Sequence, residues 1–370
     1  MKINKSQKIM EKIAGLVTDD LIQLKMAMAF LAENCQDRII DQEIVARAPE
    51  FAEKNGLSRE EVEFLTICVY INLMLSQIEN DQLAESHTKT VSRFMRIFSK
   101  KEFENNPYLK NVKIKNAKRG NFELAMESYQ PYELFNYDIG VFNEYVAVPQ
   151  IGTFTEKFEY PIIYENGMAW MTITPNEICT MYDAVQHAHG KVLVLGLGLG
   201  YFAYMAAIRP EVEEVTVVEI SQDVIDLFEE NIFPQFKCRD KIEIIQADAI
   251  EYLNKMPKRS YDYCFADIWK SSHDIEPYIK VKEALRNHRD METDCWVERA
   301  IAYQIAWCAK IEMFSKATGI PMMMPPECKK LSRYTSRLYR NVHVKTPEDV
   351  LKIVRPETAI GLIETSKTMY

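Results

Sequence analysis

Three glycines at alternate positions are the first residues in this chain whose type and spacing could support chemistry. They are Gly196, Gly198 and Gly200, and they follow the apolar run 192–195. Glycine lets the backbone approach a ligand where a Cβ atom would clash. The free N–H groups at the start of the next helix favour an anion. The segment therefore predicts a turn that binds a nucleotide or a nucleoside.

Three carboxylates follow this turn, each at the end of a predicted strand. They are Glu219, Asp248 and Asp267. The alternation of strand and helix patterns predicts a parallel, doubly wound sheet with right-handed crossovers. In such sheets the ligand lies outside the carboxyl ends of the strands. We therefore expect the three acids to share one edge of the sheet with the glycine turn.

Two classes of cofactor fit a glycine turn followed by such acids. The dinucleotide fingerprint is Gly-x-Gly-x-x-Gly, but here Gly200 comes one residue early and Tyr201 occupies the last glycine position. The spacing Gly-x-Gly-x-Gly is instead the S-adenosylmethionine pattern. In either class Glu219 would accept hydrogen bonds from the ribose hydroxyls. Asp248 could accept one from the adenine amino group, which favours S-adenosylmethionine.

Residues from about 145 to 290 resemble the class I S-adenosylmethionine-dependent methyltransferases, and among them the spermidine synthase-like branch. The resemblance is carried by VVEIS at 217–221, by DYCFAD at 262–267, and by a β-rich segment that leads into a helix bearing Glu177. It implies S-adenosylmethionine as the cofactor, with decarboxylated S-adenosylmethionine as the alternative. The residues it implies for cofactor binding are Gly196, Gly198, Gly200, Glu219, Ile220, Asp248, Ala249 and Asp267.

Three positions depart from the aminopropyltransferases of that branch. Leu199 replaces an acid inside the glycine turn, Lys270 replaces a second aspartate after the fourth strand, and Ser221 replaces an aspartate after the second. A lost acid and a gained cation weaken a polycation site on Coulomb grounds.

We therefore expect an S-adenosylmethionine-dependent methyltransferase that acts on an unidentified small-molecule acceptor. Aminopropyl transfer and a catalytically inactive S-adenosylmethionine-binding scaffold are the alternatives. The absence of an Asn/Asp-Pro-Pro-Tyr motif argues against a nucleic-acid methyltransferase.

The resemblance places Asp267 at the reacting end, where it could orient or deprotonate an acceptor amine. Trp269 could line the substrate pocket through a cation–π contact, or it could be a core residue below the sheet edge. Thr174 and Glu177 match a helix-capping box, and this explains Glu177 structurally. Substrate binding by Glu177 is the alternative. His273 is expected near a helix N-cap rather than as a general base.

The elements around this core predict three domains and an α/β fold class. Residues 1–105 are predicted to form an N-terminal helical domain, with a capping box at Ser58 and Glu61. Residues 106–172 show short strand-like runs separated by turn residues and predict an antiparallel β-subdomain. Residues 173–370 are predicted to form the Rossmann-like, doubly wound methyltransferase sheet, an S-adenosylmethionine-binding domain with a helical C-terminal extension.

The region after the fourth strand is harder to assign. A long helix is predicted from near Thr293 to about Ala317, with Gly319 as its stop. A fifth strand is expected soon after the fourth, and the candidates are 342–344 and 360–364. Five basic residues then recur along one predicted helical face and indicate a solvated stripe or a contact with an anionic partner such as RNA. They are Lys329, Lys330, Arg333, Arg337 and Arg340.

Composition limits the classes of protein that fit. A formal net charge of −9 argues against a protein that coats nucleic acid. The eight cysteines lack paired spacing, which predicts reduced thiols in a cytoplasmic protein without a Cys-x-x-Cys metal site. The apolar runs are too short for a signal peptide or a membrane span. We expect a small-molecule substrate, no membrane partner and no metal. A homodimer would fit, although the sequence leaves the oligomeric state open.

Overall fold

The structure is a computed structural model, and it describes residues 1–17, 47–76, 95–142, 146–322, 324 and 326–366. Two compact units are present. One comprises Met1–Val17, Pro107–Met126 and Pro161–Tyr370, and the other comprises Thr18–Asn106 and Glu127–Tyr160. Much of the predicted helical domain 1–105 lies outside the described residues, and the three-domain division stays a prediction.

The elements of both units follow in chain order. The first strands are β1 (Lys2–Ile3), β2 (Arg96–Phe98), β3 (Ala117–Arg119), β4 (Phe122–Tyr129), β5 (Phe135–Phe142), β6 (Val146–Phe154) and β7 (Phe158–Glu165). The others are β8 (Met168–Thr172), β9 (Gly190–Leu195), β10 (Val212–Glu219), β11 (Ile242–Gln246), β12 (Tyr263–Ala266), β13 (Glu292–Cys295) and β14 (His343–Val344).

Residues 7–17 are helical. The further helices begin with α1 (Ala48–Asn55), α2 (Arg59–Ser76), α3 (Lys100–Glu104), α4 (Pro107–Asn111), α5 (Pro175–His187), α6 (Tyr201–Ala207) and α7 (Gln222–Asn231). The chain continues with α8 (Ala249–Lys255), α9 (Ile275–Leu285), α10 (Glu298–Thr318), α11 (Lys329–Leu338), α12 (Pro347–Ile353) and α13 (Pro356–Thr365).

The first unit contains the predicted parallel sheet, in the strand order β11-β10-β9-β12-β13. All four side chains of 192–195 in β9 are buried, as expected for a central strand covered on both faces. On the covering helix α6, the Phe202 ring stacks on Phe265 of β12 at 3.9 Å between centroids. A buried phenylalanine stabilises a fold by about 1.5–3 kcal/mol. The fold class is therefore α/β and Rossmann-like, as predicted.

The strand register aligns the residues that follow the central strands. Leu195 at the end of β9 pairs with Val218 of β10 and with Ala266 of β12. The next residues along the three strands are Gly196, Glu219 and Asp267, so these positions lie side by side at one edge of the sheet. The expectation that the acids share an edge with the glycine turn is confirmed for these positions.

The fifth strand of this sheet lies where the sequence did not indicate it. It is β13, which pairs in parallel with β12 from Tyr263↔Glu292 to Ala266↔Cys295. Its sequence is Glu-Thr-Asp-Cys, which lacks an apolar run because an edge strand has one strand neighbour and need not be buried on both faces. The predicted helix from Thr293 is corrected accordingly, since α10 begins at Glu298. Its predicted stop at Gly319 is confirmed.

Both candidate fifth strands are wrong. Residues 360–364 lie within helix α13. In the other candidate, His343–Val344 forms β14, but this strand pairs in parallel with β1 in a separate two-stranded sheet. The N-terminal residues of the chain supply its partner strand.

Helix α11 presents the predicted basic stripe. Lys329, Lys330, Arg333 and Arg337 are exposed on the helix, and the exposed Arg340 follows it. Leu331 and Leu338 are buried on the opposite face. The stripe is therefore one face of an amphipathic helix, while an anionic partner for it stays a prediction.

The second unit contains β2, β5 and β6 in a sheet of order β2-β6-β5. An aromatic cluster packs this unit, with Phe98 edge-on to Phe103 at 5.3 Å and Phe154 stacked on Phe158 at 4.5 Å.

The predicted capping box before α2 is confirmed, because the Glu61 N–H donates to Ser58 Oγ and the Ser58 N–H donates to the Glu61 carboxylate. No helix within the described ranges is long and apolar enough to cross a membrane.

Candidate functional site

A cavity of about 770 Å³ opens at the carboxyl ends of the central strands, within the first unit. The predicted acids Glu219, Asp248 and Asp267 all line it. Also in its wall are the predicted residues Gly196, Gly198, Ile220, Ala249 and Trp269, while Gly200 and Glu177 are not. The structure therefore gathers most of the predicted site residues around one space.

The protein's own packing requires glycine at two positions of the turn. Gly196 has φ 99°, and a Cβ atom there would lie 2.2 Å from the carbonyl oxygen of Asp267. Gly200 has φ 70°, and its Cβ would lie 2.3 Å from the Phe228 ring. Left-handed backbone conformations are costly for residues with a Cβ atom. The expected reason, close approach to a ligand, is thus joined by close approach of neighbouring protein atoms.

Replacing Gly196 with alanine should destabilise the fold because both the φ angle and the contact with backbone oxygen are unfavourable. We expect Gly196→Ala to lower the free energy of unfolding by about 1–3 kcal/mol, measured by urea denaturation. Gly361→Ala is the matched control. Gly361 lies inside α13, and a Cβ atom there would have nothing within 4 Å. That change should stabilise the protein by about 0.5–1 kcal/mol. Equal free energies of unfolding for the two variants would contradict the conclusion that packing and φ require glycine at position 196.

The Glu219 carboxylate is held rigidly beside the turn. Only 6% of the residue is exposed. Its Oε2 accepts from the Leu197 N–H at 3.1 Å and its Oε1 from the Ser221 N–H at 2.8 Å. An ionised carboxylate has about four acceptor positions, so each oxygen keeps capacity for another donor. This arrangement fits a pair of ribose hydroxyls that donate from the cavity.

The neighbouring residues fit the base of a nucleoside. Ile220 is 65% exposed although it is large and apolar, and it lines the cavity. Asp248 is the N-cap of α8, where its Oδ1 accepts from the Glu251 N–H at 2.9 Å. Its other oxygen is left for a further donor. An apolar surface beside a free carboxylate oxygen suits an adenine ring with its amino group.

Asp267 has unusual electrostatics for an aspartate. Burial raises the pKa of its carboxyl to about 7. The residue is only partly exposed, and it lines the cavity. A carboxyl with a pKa near neutrality can both take and release a proton at physiological pH. This suits the general-base role that the resemblance implied.

The capping interpretation of Glu177 is wrong. Thr174 makes no side-chain capping bond, and Glu177 Oε2 is buried without a hydrogen-bond partner among the described residues. Burial, and then the charge of Asp267, raise the pKa of Glu177 to about 8. The glutamate is directed inward instead of closing the cap, and at neutral pH it is mostly protonated. Glu177 does not line the cavity. Its predicted contact with substrate therefore has no support from the cavity wall and remains a prediction.

Trp269 is a core residue at the border of the cavity, and its predicted cation–π contact with a substrate stays a prediction. The residue is 4% exposed, and its ring lies edge-on to Tyr278 at 5.5 Å. Its Nε1 donates to the Trp296 carbonyl oxygen at 3.2 Å. It also borders the cavity. The tryptophan is therefore a fixed core residue that also borders the site.

His273 directly precedes Asp274, the N-cap residue of α9, in agreement with its expected place.

Two of the three departures from the aminopropyltransferase pattern, Leu199 and Lys270, have distinct surroundings. Leu199 is 1% exposed, and its carbonyl oxygen accepts from the buried Tyr108 hydroxyl at 2.6 Å. Lys270 forms an ion pair with Glu165 at 2.6 Å, and both residues border the cavity. The positive charge that replaces an aspartate is thus partly balanced by a glutamate from β7.

Several site residues were missed from the sequence. Phe122, Trp170 and Met171 form part of the cavity wall, and the first two have ring centroids 5.2 Å apart. Glu165 was missed as well, and so was Tyr108, which does not line the cavity but donates to the Leu199 carbonyl oxygen. The signal available was only the aromatic content of the predicted β-subdomain. Among the described residues, no group of three or more His, Cys, Asp or Glu side chains could hold a metal ion.

Comparison with known proteins gives a family match for the middle of the chain. Residues 176–288 match the model described as "Spermine/spermidine synthase domain". This stretch includes the glycine turn, the three acids and Lys270. No curated protein matches the chain.

Several solved structures are similar to parts of the chain. Spermidine synthase from Thermotoga maritima is 18% identical with a TM-score of 0.30, over 44% of this chain and 61% of that chain. A spermidine synthase in complex with the transition state analogue AdoDATO is 20% identical with a TM-score of 0.29, over 44% and 60%. The methyltransferase domain of bacterial-CtHen1-C is 16% identical with a TM-score of 0.24, over 31% and 58%.

The similar part thus spans about three fifths of the two spermidine synthases. The family match lies within the stretch, from about 145 to 290, in which the sequence showed its resemblance. Residues 176–288 of this chain are therefore similar to the spermine/spermidine synthase domain, in agreement with the resemblance that the sequence showed.

Proposed function

We propose that this chain is an S-adenosylmethionine-dependent transferase that methylates a small-molecule acceptor. The observation that carries the proposal is the Glu219 carboxylate. It is fixed by two backbone N–H groups next to the glycine turn, in a cavity that Ile220 and Asp248 also line. Glu219 would hold the ribose, Asp248 the adenine amino group, and Ile220 one face of the adenine. A cytoplasmic location and a homodimer are further parts of the proposal.

The chemistry required of the protein is modest. When bound, S-adenosylmethionine supplies a methyl group attached to a sulfonium sulfur, and the remainder of the molecule departs as a neutral thioether. The chain must hold the acceptor in line with that methyl group and remove a proton from it. Asp267, which lines the cavity, would accept that proton, since a pKa of about 7 leaves much of it ionised at neutral pH. The apolar walls formed by Trp170, Met171 and Trp269 would limit water around the reacting atoms.

Methyl transfer is favoured over aminopropyl transfer by the residues at the acceptor end. Leu199 presents no carboxylate, and the Lys270 ammonium is within 2.6 Å of Glu165. A polyamine carries several positive charges. Its binding would be weakened by the missing carboxylate at Leu199 and by the Lys270 cation, whose charge Glu165 balances only in part. Aminopropyl transfer is the second candidate function, and the match of residues 176–288 to the spermine/spermidine synthase domain favours it.

Calorimetric titration of the purified chain tests the proposal. We expect saturable binding of S-adenosylmethionine and of S-adenosylhomocysteine, with weaker binding of decarboxylated S-adenosylmethionine. Mass spectrometry of mixtures with amine, hydroxyl and carboxylate acceptors should then detect a methylated product. Preference for the decarboxylated compound would favour aminopropyl transfer, and binding without any turnover would favour the scaffold. No binding of these compounds at millimolar concentration would reject all three.

A further inference from the structure

A second hollow, of about 610 Å³, lies at the other end of the parallel sheet. Two turns form it, 257–260 before β12 and 286–290 before β13. Since both turns precede their strands, the hollow is at the amino ends, whereas the acid-lined cavity is at the carboxyl ends. Its lining residues are Lys258, Arg259, Arg286, Asn287, Arg289 and Asp290. It is therefore separate from the proposed cofactor site.

The lining of this hollow is strongly basic. It has four cationic side chains and one carboxylate, that of Asp290, which is 3.2 Å from Arg259 Nε. The chain as a whole has a formal net charge of −9. Like charges gathered in one hollow repel each other, and a bound anion would remove that repulsion. The excess of positive charge thus points to an anionic ligand.

Buried contacts fix the second turn in place. His288 is 5% exposed, and its Nε2 lies 2.9 Å from the Leu253 carbonyl oxygen of α8. The Arg286 guanidinium donates to the Ile363 carbonyl oxygen of α13 at 2.6 Å. These bonds hold Arg286 against the body of the unit. The hollow is therefore built on anchored residues as well as on exposed side chains.

Arg286 also has an unused donor. Its Nε is buried and has no hydrogen-bond partner among the described residues. A buried donor left without an acceptor costs about 1–3 kcal/mol. Arg286 also lines the hollow, so an oxyanion bound there could contribute to an acceptor network for this donor through a water molecule. The donor without a partner thus belongs to a residue that lines the same hollow as the charge excess.

We propose that this hollow binds a phosphate group of a small molecule, at a site independent of the proposed transferase cavity. Guanidinium groups match the geometry of phosphate oxygens with paired N–H donors. Three arginines and a lysine around one hollow suit a ligand with two or more negative charges, such as a pyrophosphate or a phosphate ester. The proposal does not rest on the transferase function, since none of its residues lines the acid-lined cavity.

Titration of the full chain with pyrophosphate and with inorganic phosphate tests this proposal. We expect saturable binding of pyrophosphate and a rise in the thermal unfolding temperature. The variant R259Q/R289Q should weaken this binding about tenfold or more. The control K5Q/K12Q removes two charges from exposed residues at the N-terminus and should bind as the wild type does. Circular dichroism checks that both variants fold.

Four outcomes would overturn the proposal. Three of them are no saturable binding at millimolar pyrophosphate, equal binding by R259Q/R289Q and the wild type, and equal weakening in both double variants. A fourth is that a single-stranded RNA binds in a manner that R259Q/R289Q abolishes while pyrophosphate does not bind. That result would replace the small ligand by a nucleic acid. S-adenosylmethionine binding is measured in parallel, so failure of one site is distinguished from failure of the other.

Discussion

Asp267→Asn is expected to lower the rate of methyl transfer by about 10²–10⁴-fold, the usual contribution of a general base. The amide keeps the shape of the carboxyl but cannot accept the acceptor's proton. In the wild type, kcat/KM should rise with pH and level off above about 7, because the pKa of Asp267 is raised to about 7 by burial and the ionised form is the active one. This rise should disappear in the variant. A stopped assay of product formation across the pH range measures both effects.

The same substitution should stabilise the protein at alkaline pH. The pKa of Asp267 is near 3.8 in the unfolded chain and about 7 in the folded one. Between these values the folded state binds more protons than the unfolded state, so stability falls as the pH rises. Asparagine removes this loss. The unfolding temperature of Asp267→Asn should therefore exceed that of the wild type increasingly from about pH 4 to about pH 7, and by a constant amount above that.

Two further variants separate catalysis from structure. Asp240→Asn changes an exposed aspartate and should alter neither rate nor stability. Glu177→Gln should keep the rise in rate near pH 7, because Glu177 is still protonated when Asp267 ionises. It should remove any second change near pH 8, which identifies Glu177 as a positioning residue. A wild-type rate in Asp267→Asn would reject the general-base role.

The strand ends of the site could be predicted from the sequence because they depend on local pattern and on one rule of topology. The apolar run before Gly196 gave the central strand, and parallel pairing then placed Glu219 and Asp267 at the same level. The polar edge strand β13 lacked such a pattern. Its four residues resemble the start of the helix that follows.

Other features of the site depend on contacts that a local pattern does not encode. A capping box and an inward-directed glutamate have the same sequence, so the pattern around Thr174 could not reveal that Glu177 is buried without a partner. Glu165 and Lys270 are 105 residues apart, and only the folded chain shows that they form an ion pair. That ion pair changes the interpretation of the acceptor end, because the charge of Lys270 does not act alone.

Glu219→Gln is expected to have the largest effect on cofactor binding. The substitution removes the negative charge that would accept from both ribose hydroxyls. It also turns an amide NH₂ group towards the N–H of Leu197 or of Ser221, which the carboxylate now accepts from. Hydrogen bonds to a charged group contribute about 1.5–3 kcal/mol each. Loss of two of them corresponds to a weakening of roughly 10²–10⁴-fold in the Kd for S-adenosylmethionine.

Glu214→Gln is the matched control for this experiment, because it makes the same change on the same strand at an exposed position paired with Lys191. Calorimetry should give it the Kd of the wild type. Both variants should bind pyrophosphate as the wild type does, since the basic hollow is at the opposite end of the sheet. If Glu219→Gln folds normally and binds S-adenosylmethionine within a factor of about three of the wild type, the carboxylate does not hold the ribose. The cavity would then have to bind a different ligand.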